Sequence, residues 1–309
     1  MDKLALDALR QIVIMFFIII VGVVCYKKKM IDKDTNKKLA DLVLMIVNPT
    51  VIFISYQREF EAGLLKGLLI SLVLAVITHI FAIFSSKFVV RGKKYGENIS
   101  LERFAAMYSN CGFIGIPLVK GIFGNEGVFY ITAYITVFNL LVWTHGVILM
   151  TGKRDMKTVV KAFSSPSVIA TLLGFVFFMA RIILPGIMIE SISYIGNMNT
   201  PLAMLVAGAT IAQTDIKRIL TKFRIYYISL IKLVFIPITM LLLFNLFDVP
   251  KVVLLTSVLA AGCPTAVTVN LFAIRYGKDY LYASELFAVT TILSAVTIPI
   301  VMIIGELLV

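Results

Sequence analysis

The chain has 309 residues, of which 60% are hydrophobic and only 15% charged, with a formal net charge of +12. A water-soluble domain of this length would carry far more charge, so the composition excludes one and points to an all-α polytopic membrane protein. The basic excess would suit a nucleic-acid partner, but its lysines and arginines cluster in alternate connections between apolar segments, so it reports topology and no nucleic acid is expected.

Crossing a bilayer as a helix takes about 20 apolar residues. Ten such transmembrane segments are predicted, near residues 8–26, 38–57, 63–90, 100–123, 126–150, 165–184, 191–212, 223–247, 251–275 and 280–306. The first runs through Ile12 to Val24 with no small-residue cleavage site after it, which predicts a retained anchor and not a signal peptide. Segment two holds Asn48-Pro49-Thr50, and segment three holds His79 in its interior. Segment four is interrupted by Asn110-Cys111-Gly112-Phe113-Ile114-Gly115-Ile116-Pro117. Between segments five and six, Thr151 to Phe163 is basic, with Met156, Val159, Val160 and Phe163 at helical spacing. It reads either as a short amphipathic helix on the inner leaflet or as a solvated loop. Segment seven contains Asn199-Thr200-Pro201, and segment eight contains Lys232. The second interruption, Ala261-Gly262-Cys263-Pro264-Thr265-Ala266-Val267-Thr268-Val269-Asn270, falls in segment nine. Segment ten carries Glu285 near its start.

Irregular backbone at membrane depth survives only where protein or a water-filled cavity satisfies its polar groups, so two interrupted segments in corresponding places mark a transport site. A half-helix that starts at such a break offers free N–H groups and a partial positive charge, which suits an anion. The expected substrate-binding residues are Asn110, Thr265, Thr268 and Asn270, with backbone at Gly112, Gly115 and Gly262. Pro117 and Pro264 are assigned to the breaks themselves. His79 and Lys232 are ionisable groups at membrane depth and stand as candidate coupling residues; the alternatives are an interface histidine and a lysine that snorkels. No aspartate or glutamate is expected near the breaks, which disfavours a carboxylate ion site, although neutral oxygens can hold sodium. The odd number of cysteines, Cys25, Cys111 and Cys263, argues against a disulfide framework, and buried thiols serve as small apolar fillers. No Walker-type phosphate loop, HExxH or GxSxG sequence occurs, so no ATP-driven pump, enzyme, metal or cofactor is expected.

The first connection carries Lys27, Lys28, Lys29, Lys33, Lys37 and Lys38, the third Lys87, Arg91, Lys93, Lys94 and Arg103, and the seventh Lys217, Arg218, Lys222 and Arg224. The fourth has Lys120, the sixth Arg181 and the eighth Lys251. The positive-inside rule then places the odd connections in the cytoplasm and both termini outside. Five segments per half give two halves of opposite orientation, 1–150 and 165–309, joined by a cytoplasmic linker at 151–164. Gly124-Asn125-Glu126-Gly127 and Gly277-Lys278-Asp279 follow the two breaks at a spacing of 153 residues (277 against 124), which also sets Cys263 against Asn110 and Lys232 against His79.

These motifs, with Ser165-Pro166, Ile169-Ala170 and Gly174 in segment six and Thr200-Pro201-Leu202-Ala203 with Gly208 in segment seven, resemble the auxin efflux carrier superfamily over nearly the whole chain. That superfamily includes bacterial relatives of the plant auxin transporters and of malate and malonate permeases. The resemblance implies a 5+5 inverted repeat in which segments four and nine cross at their breaks. It also implies a dimeric scaffold of segments one, two, six and seven, and a moving transport domain of segments three to five and eight to ten. The long cytoplasmic loop of the plant carriers has no counterpart here. The expected function is a secondary transporter in the plasma membrane, a homodimer among membrane lipids, carrying a small organic anion by alternating access. An anion channel and a carboxylate receptor without turnover are the rivals.

Overall fold

The computed structural model describes residues 3–91, 98–152, 163–214, 219 and 221–309. Among them every regular element is helical, and the one extended contact is an antiparallel bridge between Ser109 and Thr265. Residues 153–162 of the expected linker, and the basic residues Lys93, Lys94, Lys217 and Arg218, lie outside the described residues.

Helix α1 spans Lys3–Lys27. Helix α2, Lys33–Leu42, starts earlier than expected because Asp32 caps it, its carboxylate accepting from the Thr35 N–H at 2.7 Å. It continues through a π turn at Val43–Val47 into α3, Asn48–Ser55, and is followed by α4, Ala62–Val89. Helix α5, Ile99–Met107, ends at the first break; the chain resumes with a π turn at Cys111–Gly115, α6 at Ile116–Leu141, another π turn at Val142–Gly146 and α7 at Val147–Thr151. Unbroken, the 41 residues of Cys111–Thr151 would extend about 60 Å, twice the thickness of a bilayer core. Gly124 divides them by adopting φ 63° and ψ −150°, a conformation that a side chain would resist.

In the second half α8 covers Pro166–Met179 and α9 Gly186–Asn197; a turn at Met198 leads into α10, Asn199–Ile211. The expected segment seven therefore begins earlier and bends ahead of Pro201. Helix α11, Phe223–Leu230, passes through a π turn at Ile231–Phe235 into α12, Ile236–Phe244. Helix α13, Lys251–Gly262, ends at the second break, α14 is Thr268–Arg275, and α15 is Tyr280–Leu308.

Three of the π turns have one sequence cause. Pro49, Pro117 and Pro237 each follow such a turn by two residues, and the carbonyl four positions back, at Met45, Phe113 and Leu233, lies inside it. Proline has no N–H for that carbonyl and its ring presses on it, so the turn widens instead of breaking.

Among the described residues, six helical runs are long and apolar enough to cross a membrane: Leu6–Lys27, Lys33–Ser55, Ala62–Val89, Cys111–Thr151, Phe223–Phe244 and Tyr280–Leu308. Pro166–Met179 and Lys251–Gly262 are apolar but shorter. Large apolar side chains such as Phe17, Val73, Phe84, Leu172 and Val296 point outward, as a lipid-facing surface requires. Helix α1 lies along α10, where Gly22 and Gly208 let the backbones touch. A Cβ on Gly208 would come within 2.0 Å of the Ile19 carbonyl oxygen, and one on Gly22 within 2.4 Å of that of Leu205.

Candidate functional site

The two interruptions meet. The Asn110 N–H donates to the Pro264 carbonyl at 2.7 Å, and the Ala266 N–H donates to the Tyr108 carbonyl at 2.9 Å. Proline at 264 suits this arrangement, because its carbonyl is used and it has no N–H to leave unpaired. The hydroxyls cross over as well: Ser109 Oγ donates to the Ala261 carbonyl at 3.1 Å, and Thr265 Oγ1 donates to the Ala105 carbonyl at 3.0 Å. Each break thus caps the C-terminal turn of the other's preceding half-helix, supplying partners for carbonyls that α5 and α13 leave open. The contacts pair 110 with 264, 109 with 265 and 108 with 266, a pattern that is unchanged when positions 156 apart are exchanged, whereas the flanking glycines suggest 153. The first break itself lies at Tyr108–Asn110, upstream of where Pro117 suggested it, since that proline is absorbed by the π turn.

Lys232 reaches this junction. It is 1% exposed, and its Nζ donates to Ser109 Oγ and to the Ala261 carbonyl at 3.0 Å. Among the described residues it is the one buried lysine or arginine. It does not snorkel. His79 is equally buried beside Tyr134 and Tyr108, with ring centroids 4.7 and 6.4 Å away. Its Nδ1 lies 2.8 Å from the Ala75 carbonyl of its own helix, and its Nε2 has no protein partner.

A cavity of about 300 Å³ lies against the second break, between α2, α10, α14 and the start of α15. Thr268 and Asn270 line it, and the Thr268 hydroxyl and the Asn270 amide nitrogen are buried without a hydrogen-bond partner. Opposite them, Asn36 donates to Thr210 Oγ1 at 3.0 Å and its own carbonyl oxygen has no partner. Lys33 and Lys37 stand at the rim with Asp34 and Asp41, and Lys33 lies over the Tyr280 ring at 4.5 Å. The cavity wall is largely apolar with a few unsatisfied donors and acceptors at its edge, a lining that suits a small ligand with an apolar body and a polar end.

Of the expected site residues, Thr268 and Asn270 therefore share this cavity. Asn110 stands at the junction with its amide nitrogen unpartnered, but it is 3% exposed and not part of the cavity lining. A Cβ on Gly112 would lie 3.0 Å from the Asn48 amide nitrogen, so this glycine permits close approach to α3. Gly115 packs on Ile131 and Cys263, Gly262 packs on Pro237 at ordinary distance, and Thr265 is fully buried with its hydroxyl committed to Ala105. These three support the junction and do not line the cavity. Cys111 and Cys263 are free and buried.

Sequence reasoning passed over Glu102, which is fully buried in α5. It accepts from Arg224 Nη2 at 2.7 Å and Nε at 3.0 Å, and from the Tyr282 hydroxyl at 2.9 Å, tying α5 to α11 and α15. Lys222 pairs with Glu285 beside it. On the far side of the molecule Lys120 donates to the Asn197 side chain at 3.0 Å, and Gln11 donates to the Pro117 carbonyl at 3.0 Å.

An apolar helical bundle with two interrupted helices hydrogen-bonded to each other beside a cavity is the architecture of a membrane transporter. The sequence matches the family described as membrane transport protein over residues 7–156 and 154–302, and the chain belongs to that family, the auxin efflux carrier family expected from its motifs. It is similar to an uncharacterized transporter of Methanothermobacter thermautotrophicus, 24% identical over 287 residues that cover 92% of this chain and 93% of that protein. A second uncharacterized transporter, from Methanocaldococcus jannaschii, is 23% identical over 91% of this chain and 93% of its own length. A Rhizobium meliloti protein with the name "Putative malonate transporter" is 27% identical over 64% of this chain and 65% of its own length.

Proposed function

We propose that the chain is a secondary transporter that moves a small organic carboxylate across the plasma membrane by alternating access, with its substrate held at the paired breaks. The observation that carries this is the junction itself: two interrupted helices joined by reciprocal hydrogen bonds, with Thr268 and Asn270 lining a cavity large enough for a short-chain acid. The N-terminus of α14 adds a partial positive charge at the same place. Ten spans in two inverted halves fit the reciprocal contacts and the family match, whose two stretches meet at residues 154–156. In this proposal α1–α3 and α8–α10 form a dimeric scaffold, and the remaining helices move against it.

The cavity opens beside Lys33 and Lys37, in a connection that the positive-inside rule assigns to the cytoplasm, with both termini outside. The Lys120–Asn197 hydrogen bond borders a second cavity, of about 260 Å³, between α3, α6 and α9. Malonate is the first acid to test, because a similar protein carries its name.

The test is electrogenic transport by purified protein in proteoliposomes on a solid-supported membrane, challenged with malonate, malate and indole-3-acetate. A saturable current for one acid class that is lost in Asn270→Ala is the expected result. A current that rises linearly with concentration would indicate a channel, and acid-dependent thermal stabilisation without flux would indicate a receptor.

A further inference from the structure

Lys232 is the feature that the substrate site does not account for. It sits about 14 Å along the helical run from Phe223, near the middle of the apolar run Phe223–Phe244. A charge at that depth is expensive unless it does something there. Its surroundings are unusual for a buried lysine. The two buried carboxylates, Glu102 and Glu285, are engaged by Arg224 and Lys222, and no carboxylate lies within ion-pair distance of Lys232 among the described residues. Its partners are neutral oxygens: the Ser109 hydroxyl from one break and the Ala261 carbonyl from the last turn of α13 before the other. The end of α13 also presents the negative pole of that half-helix.

Hydroxyl and carbonyl oxygens at an unwound half-helix C-terminus are the ligands by which transporters of broken-helix design hold a coupling cation. We propose that Lys232 is a tethered cation that fills this position permanently, so that the carrier moves its substrate without a co-transported sodium ion, and that removing the ammonium opens a site for a free monovalent cation. This rests on the carrier function proposed for the chain. The ammonium does here what a bound ion would do: it neutralises the α13 terminus and links both breaks, through Ser109 on one and Ala261 on the other. Because it is covalently held, it does not dissociate at either side of the membrane, and the charge at the junction stays constant through the transport cycle.

The experiment compares the wild-type chain with Lys232→Met and Lys232→Ser in two arms. Thermal unfolding of the purified proteins is followed as sodium chloride replaces choline chloride at constant ionic strength. Malonate flux into proteoliposomes is measured in the same salts. The wild type is expected to show the same melting temperature and flux in both salts. The variants are expected to melt lower in choline and to recover several degrees in sodium. Their flux should fall about tenfold or more in choline, the scale set by losing one charge-assisted hydrogen bond, and rise again with sodium. A wild type that needs sodium in either arm overturns the inference, as do variants whose stability is indifferent to sodium. If neither variant can be purified, the wild-type salt comparison decides by the same criterion. Absence of malonate flux in the wild type counts against that substrate, while the thermal arm still reads the lysine.

Discussion

The break at Tyr108–Asn110 and the break at Cys263–Val267 make reciprocal hydrogen bonds and stand in different surroundings. Around the first, Gly112 approaches Asn48 of α3, which is itself bonded to Asn199 of α10 at 2.5 Å, and Asn110 is shut away from the cavity. Around the second, Thr268 and Asn270 line the cavity. The approach helices differ too: α5 is anchored at its start by the Glu102–Arg224–Tyr282 cluster, and α13 is anchored at its end by Lys232. The junction draws its backbone partners from the two breaks and from α15, where Thr290 Oγ1 accepts from the Thr265 N–H at 3.2 Å. In the proposed carrier, access would depend on what packs against the junction, as for a rigid unit that slides past α2, α3, α9 and α10.

The largest effect that can break this comparison lies at the anchor of the first approach helix. Glu102→Ala should lower unfolding stability by about 3–5 kcal/mol, the usual cost of stripping one member from a buried ion pair. Thermal or denaturant unfolding of the purified protein measures it, and a loss below 1 kcal/mol would mean that the cluster is not structural. Next in size are the crossed hydroxyls. Thr265→Val should cost about 1–3 kcal/mol by leaving the Ala105 carbonyl unpaired. Ser109→Ala should cost more than Thr265→Val, because it also removes an acceptor from Lys232. Equal losses would count against a role for Lys232 in holding the junction.

Thr268→Val sharpens the comparison from the other side. Its hydroxyl has no partner, so unfolding stability should stay within about 0.5 kcal/mol or improve, while apparent affinity for the transported acid should fall roughly fivefold to tenfold. Asn110→Ala should show a similar loss of affinity although it does not border the cavity, because the proposed cycle brings both breaks to the substrate. The smallest effect is assigned to His79→Gln, which should leave maximal flux nearly unchanged and flatten its pH dependence. A preserved pH profile would remove His79 from coupling.

Much of this was legible in the sequence for definite reasons. Proline, glycine and asparagine inside apolar segments are conspicuous, so both breaks and the residues Asn110, Thr268 and Asn270 could be named. Lys232 was visible for the same reason, as a charge where charge is costly. Ser109 was not, because serine is commonplace in membrane helices and its importance comes from partners 123 and 152 residues away. Glu102 reads as an ordinary acid in the first turn of a helix, and only the approach of Arg224, 122 residues away, shows that it is buried. The spacing error of three residues has a similar origin. Glycines in the connections after the breaks follow loop length, whereas the hydrogen bonds follow the junction.

The most direct test of the central claim uses Thr268→Cys in a chain whose Cys25, Cys111 and Cys263 have been replaced. A membrane-impermeant thiol reagent is applied from each side of oriented proteoliposomes, with and without malonate. The account predicts modification from the side that carries Lys33 and Lys37, slowed several-fold by malonate but not by a neutral solute of the same size. Modification at the same rate with and without every acid that the protein transports would contradict it.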